Sequence, residues 1–189
     1  MDRMSRKFSC RGLTLIELMI TLVILGVTVT MATPAMQRLI QGSRLRTETT
    51  RLLDAINLAR SEAVLRNVPV SLCPSPMADS GIPACAGDFS DGWIVFTNRN
   101  RDGIINTDSD QVIRAFAAIP SGYSLTNLAG TRPIDELITY LPDGSSRRNL
   151  SFLLCPPDRA GLEPWRVVLN AVGRARAAKM EEQCPESSF

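Results

Sequence analysis

The sequence predicts an α+β protein: a long N-terminal helix, transmembrane in its first half and amphipathic in its second, packed on an antiparallel β domain. Three observations carry this. Residues 13–37 form an apolar run of about 25 residues, with Glu17 as its one ionisable side chain, long enough for the roughly 20 that a helix needs to cross a bilayer core. Apolar residues then recur at spacings of three and four as far as Ala63. After Asn67 the period changes to short β-branched or aromatic runs bounded by turn residues.

The elements follow in chain order. Arg3, Arg6, Lys7 and Arg11 precede Gly12, and the run from Leu13 is too long for the apolar part of an ordinary secretory signal. Its basic flank orients the segment with the N-terminus in the cytoplasm. From Met36, Leu39 and Ile40 through Leu52, Leu53, Ile56, Ala59 and Ala63 the pattern is amphipathic, as for a helix lying on a globular domain. Pro34 and Gly42 are expected to interrupt it, since a helical proline removes a hydrogen bond and kinks the chain. Strands are predicted over 68–73, 92–97, 111–116, 123–127, 137–141, 150–154 and 165–169. Several strands with no helical pattern between them argue for an antiparallel arrangement. Pro142-Asp143-Gly144-Ser145 is a strong turn signal.

The junction Gly12-Leu13-Thr14-Leu15-Ile16-Glu17-Leu18 resembles the prepilin cleavage signal of type IV pilins and type II secretion pseudopilins. Ala59-Arg60-Ser61-Glu62-Ala63, Asp91-Gly92-Trp93-Ile94-Val95-Phe96 and the Gly-Arg-x-Arg segment at 173–176 are similar to motifs of the GspH/FimT group within that superfamily, and come in the group's order. The resemblance implies a type IV pilin-like fold. It also implies a division into a cleaved leader (1–12), a transmembrane and assembly helix (13–36), an amphipathic helix (37–67) and a disulfide-braced head (68–189). Gly12 and Leu13 would be the sites of processing and methylation by a prepilin peptidase, Glu17 the assembly glutamate, and Pro34 the helix bend. Leu13 departs from the usual phenylalanine. The implied role is a minor pilin in a filament-initiating or tip complex, with a secretion pseudopilin as the alternative. The implied partners are other minor pilins and the major pilin, or pseudopilins, in an inner membrane with a periplasmic head.

The formal charge of +2 changes once a leader is removed. The first twelve residues hold four of the 21 basic residues and one of the 19 acidic ones, leaving 17 against 18, so any anion-binding role needs a local patch. Cys10 would leave with the leader. Cys73, Cys85, Cys155 and Cys184 are an even number suited to an oxidising compartment. Of three possible pairings, Cys73–Cys85 would close a short Pro/Gly-rich loop and Cys155–Cys184 would tie down the C-terminal tail. With no CxxC and no histidine, the cysteines do not read as a zinc site, and no metal or cofactor is called for.

Residues 98–106 partly match a calcium loop, but Asn98 replaces the first acid, Ser109 stands where a bidentate glutamate is wanted, and Arg99 and Arg101 would repel a dication. The tract reads as a polar hairpin. Without histidine, a G-x-S-x-G or a Walker tract, an enzyme is not indicated.

The C-terminal arginines are the remaining candidates. In a strand, Arg174 and Arg176 project from one face about 6.6 Å apart, a spacing suited to neighbouring phosphates. FimT-type members contact DNA through a C-terminal Gly-Arg-x-Arg motif during natural transformation, which Gly173, Arg174 and Arg176 match. Arg147, Arg148 and Lys179 are further candidates in the same basic stretch. Alternating arginines are also a common protection of an exposed sheet edge.

Overall fold

The computed structural model describes residues 14–157, 161–182 and 184–185. The chain divides into two compact units between Leu39 and Ile40. In the first unit every described residue of helix α1 (Leu15–Arg66) is exposed, as a segment built for lipid or for helix contacts would be. Neither Pro34 nor Gly42 breaks α1, contrary to the expectation from sequence. Proline forfeits one backbone hydrogen bond, and a helical glycine costs only about 1 kcal/mol against alanine; the turns on either side hold the helix through both.

In the second unit α1 buries Leu45, Glu48, Thr49, Leu52, Ala55, Ile56, Ala59 and Ala63, a stripe at spacings of three, four and one. The alanines at 55, 59 and 63 keep that face flat, so the helix backbone approaches the sheets closely. Two four-stranded antiparallel sheets complete the unit. The first has the order β3 (Val112–Phe116), β2 (Trp93–Thr97), β1 (Val70–Pro74), β5 (Ile138–Tyr140). The second has the order β4 (Ser124–Asn127), β6 (Leu150–Cys155), β7 (Trp165–Leu169), β8 (Ala175–Lys179).

Strand alternation assigns the faces. Val70, Leu72, Trp93 and Val95 from the first sheet share one core with Phe152, Leu154, Val167 and Leu169 from the second and with the buried stripe of α1. On the far side of the first sheet, Cys73, Ile94 and Phe96 form a smaller cluster with Met77, Ile105, Val112 and Leu137. Strand β2 is therefore covered on both faces, which is why it reads as an unbroken apolar run rather than an alternating one. A short helix α2 (Met77–Ser80) and a 3₁₀ turn (Phe89–Asp91) lie between β1 and β2. Cys73 is bonded to Cys85, and Cys155 to Cys184.

Candidate functional site

Two regions bear on function: the start of α1 and the β7–β8 hairpin. Gly12 and Leu13 lie outside the described residues. Thr14 precedes the helix, its carbonyl accepts from Leu18 N–H at 3.1 Å, and its hydroxyl accepts from Glu17 N–H at 3.3 Å. This places Glu17 in the first helical turn, where the helix dipole favours a carboxylate. Helix α1 is the one described helix long and apolar enough to cross a membrane.

The hairpin is built by a tight turn. Asn170 O accepts from Gly173 N–H at 2.8 Å, Asn170 N–H donates to Arg174 O at 3.1 Å, and the Asn170 side chain accepts from Arg174 N–H at 2.8 Å. Gly173 has φ +83°, and it is buried against the first sheet. A Cβ there would be driven into the Gly144 carbonyl oxygen and would lie 2.9 Å from Tyr140 Cε1. Its own carbonyl accepts from the buried Tyr140 hydroxyl at 3.1 Å, and burial pushes that hydroxyl's pKa up to about 12. The glycine of the Gly-Arg-x-Arg segment thus serves packing, and the arginines are what it presents.

Register separates the basic residues. Ala175 and Ala177 pack toward the core, so Arg174 and Arg176 face outward and are exposed. Arg176 pairs with Val168 and Ala178 with Arg166, placing the exposed Arg166 on the same outer face. Among the described residues, none of Arg166, Arg174 and Arg176 has a carboxylate within 4 Å, whereas Arg132 and Lys179 do. Lys179 shares the inward alternation of Ala175 and Ala177; it lies 3.9 Å from Glu163 and over the Trp165 ring, 6.0 Å from its centroid. The structure therefore brings Arg174 and Arg176 together and sets Lys179 apart. Arg147 and Arg148 are exposed on the loop beside the turn, held there by Arg147 N–H to Ala171 O at 3.1 Å. Nearby, the Ser145 backbone and hydroxyl hold the Asp143 carboxyl below its usual range, with Arg147 adding to the effect.

The 98–110 tract has no cation geometry. Asn98 is fully buried and turned inward, its amide donating to Ser71 Oγ at 2.9 Å. The Ile104 N–H holds the Asp102 carboxyl below its usual range, with the Asn106 and Asn100 amides assisting. Asp110 accepts from the Arg99 and Asn106 backbones. No group of three metal-ligating side chains occurs among the described residues.

The Asp-Gly-Trp segment is architectural too. Gly92, at φ +106°, would bring a Cβ to 2.5 Å from the Phe116 carbonyl oxygen, and Trp93 is fully buried. Over the Trp93 ring lies a cluster that sequence reasoning missed. The Arg51 guanidinium sits 4.7 Å from the ring centroid, donates to Ala117 O at 2.6 Å and lies 3.1 Å from Glu48. Burial outweighs the pull of Arg51 and raises the Glu48 carboxyl's pKa, while burial lowers that of Arg51.

The sequence matches the family model "Type II transport protein GspH" over residues 48–173, two thirds of the chain, and the "Prokaryotic N-terminal methylation motif" over residues 7–33. No curated protein matches it by sequence. Among solved structures, the fold is similar to the type IV minor pilin FimU of Pseudomonas aeruginosa, at 16% identity and a TM-score of 0.53, covering 78% of this chain and 96% of that one. It is also similar to the minor pseudopilin EpsH of the Vibrio cholerae type 2 secretion system, at 14% identity and a TM-score of 0.50, covering 74% and 99%.

Proposed function

The chain belongs to the GspH family, as a minor pilin or pseudopilin, and on that premise we propose that it is a minor pilin of the type IV pilus, a structural subunit of the complex that initiates or tips the filament. The observation that carries the assembly reading is the methylation motif over residues 7–33, with Glu17 the one charge in the apolar run that follows Gly12. In this reading a prepilin peptidase cuts after Gly12 and methylates Leu13. The cut creates an ammonium one helical turn from Glu17. A carboxylate alone in hydrocarbon is expensive, and one paired with an ammonium, its own or a neighbour's, is much less so. That pairing gives a subunit its axial register as it enters the filament. Residues 13–36 anchor the chain in the inner membrane, and the head from 68 onward is displayed in the periplasm and then on the pilus.

A second role, DNA contact during natural transformation, is favoured by the outward-facing Arg174 and Arg176, which have no ion-pair partner among the described residues. The same feature favours a pilus over a secretion pseudopilus, because a filament that meets extracellular polyanions has a use for it. Deletion of the gene, with parallel assays of twitching, transformation and exoprotein secretion, tests the assignment. Loss of twitching with secretion intact is expected; loss of secretion with normal twitching would make the protein a pseudopilin. In the deletion strain, Glu17→Ala should be processed yet fail to restore pili.

A further inference from the structure

The outer face of the second sheet carries one arginine that the Gly-Arg-x-Arg segment does not include. Arg166 stands on β7, eight positions before Arg174 in sequence, and the hairpin register returns it to the same surface: it pairs with Ala178, and its β7 neighbour Val168 pairs with Arg176. Strands lie about 4.8 Å apart and rise about 3.3 Å per residue. Arg166 and Arg176 are therefore diagonal neighbours about 8 Å apart, and Arg174 lies about 14 Å from Arg166, so the three mark a path that follows β8 from Arg174 to Arg176 and then slants across to β7. All three are exposed and, among the described residues, have no carboxylate within 4 Å. Their described cross-strand neighbours on that face, Val168, Ala178, Ser151 and Leu153, carry no anion. Lys179, nearest in sequence, is directed elsewhere, to Glu163 and Trp165.

Resting on the DNA-contact reading above, we infer that Arg166 is a third phosphate-binding residue, so that one nucleic-acid strand follows β8 from Arg174 to Arg176 and then slants obliquely to Arg166, rather than running on along β8 toward Lys179. The guanidinium fork suits successive phosphates, each bound bidentately. Such contacts are independent of base sequence and release one counterion's worth of salt dependence apiece.

The test counts contacts through the salt slope. The full-length chain, in micelles of a non-ionic detergent, is titrated with a fluorescent DNA duplex at several salt concentrations. Each phosphate contact adds about 0.9 to the slope of log K against log salt, which corresponds to roughly eightfold in affinity at 0.1 M relative to 1 M salt. Arg166→Gln is expected to lower the slope by about that amount, matching Arg174→Gln and Arg176→Gln, with Lys179→Gln unchanged. If Arg166→Gln keeps the wild-type slope while the other two arginine variants lose it, the third contact is wrong and the DNA reading survives. If Lys179→Gln weakens binding as much as Arg166→Gln, the oblique path is wrong, because charge anywhere on the hairpin would suffice. If the wild type leaves the duplex free and instead binds vesicles containing phosphatidylglycerol, both the inference and the DNA reading fall.

Discussion

Replacing Gly173 with alanine should destabilise the head without touching any charge. Two costs add. An L-residue forced into the left-handed region loses roughly 1–2 kcal/mol. The new Cβ, driven into the Gly144 carbonyl and 2.9 Å from the Tyr140 ring, adds an overpacking cost of about 1–3 kcal/mol. Both neighbours are poorly placed to yield: Gly144 is itself at φ +77° with Arg60 and Val64 behind it, and Tyr140 is fully buried with its hydroxyl held by the Gly173 carbonyl. The sum, about 2–5 kcal/mol, corresponds to a fall in Tm of about 4–20 °C at 2–4 °C per kcal/mol for a chain of this size. Fluorescence of the buried Trp93, followed during heating of the full chain in detergent, reports it. Below that lowered Tm, polyanion binding should stay close to wild type, because Arg174 and Arg176 still face outward. A Tm within about 2 °C of wild type would refute the packing argument. It would return the glycine to the binding surface.

Two further predictions concern the fastenings of the head. Folding raises the Glu48 pKa, so the folded state holds that proton more tightly than the unfolded one. Wild type should therefore gain stability relative to Glu48→Gln as pH falls from neutrality toward and through the raised value, and lose it again as pH rises; urea unfolding across a pH series would show the opposite trend if Arg51 dominated. Replacing Cys155 and Cys184 together with serine frees the tail from β6 and should cost about 2–4 kcal/mol by denaturant unfolding. An unchanged midpoint would mean that tail packing alone holds the segment.

Most of the fold was legible because its elements bury themselves in regular ways. The α1 stripe follows the helical period, and β1 to β7 fall within one or two residues of their expected bounds, β2 as an unbroken apolar run. Helix α2 and the 3₁₀ turn were not legible, since three or four residues cannot display a helical period. Neither was the partition of strands between two sheets, which is set by tertiary contact. At the site, the shared face of Arg174 and Arg176 followed from spacing alone. Arg166 needed the hairpin register, which rests on the Asn170–Arg174 hydrogen bonds. Glu48 and Arg51 read as an ordinary surface pair three residues apart, because nothing local reveals that Trp93 and the Ala117 carbonyl close over them.

On the proposed assembly role, this chain is a subunit cut after Gly12 and methylated on Leu13. Intact-mass and N-terminal fragment spectrometry of the protein extracted from membranes tests it most directly. The expected product begins at Leu13 and carries one added methyl group on its amine. A chain that still begins at Met1, or one cut beyond Glu17, would contradict it.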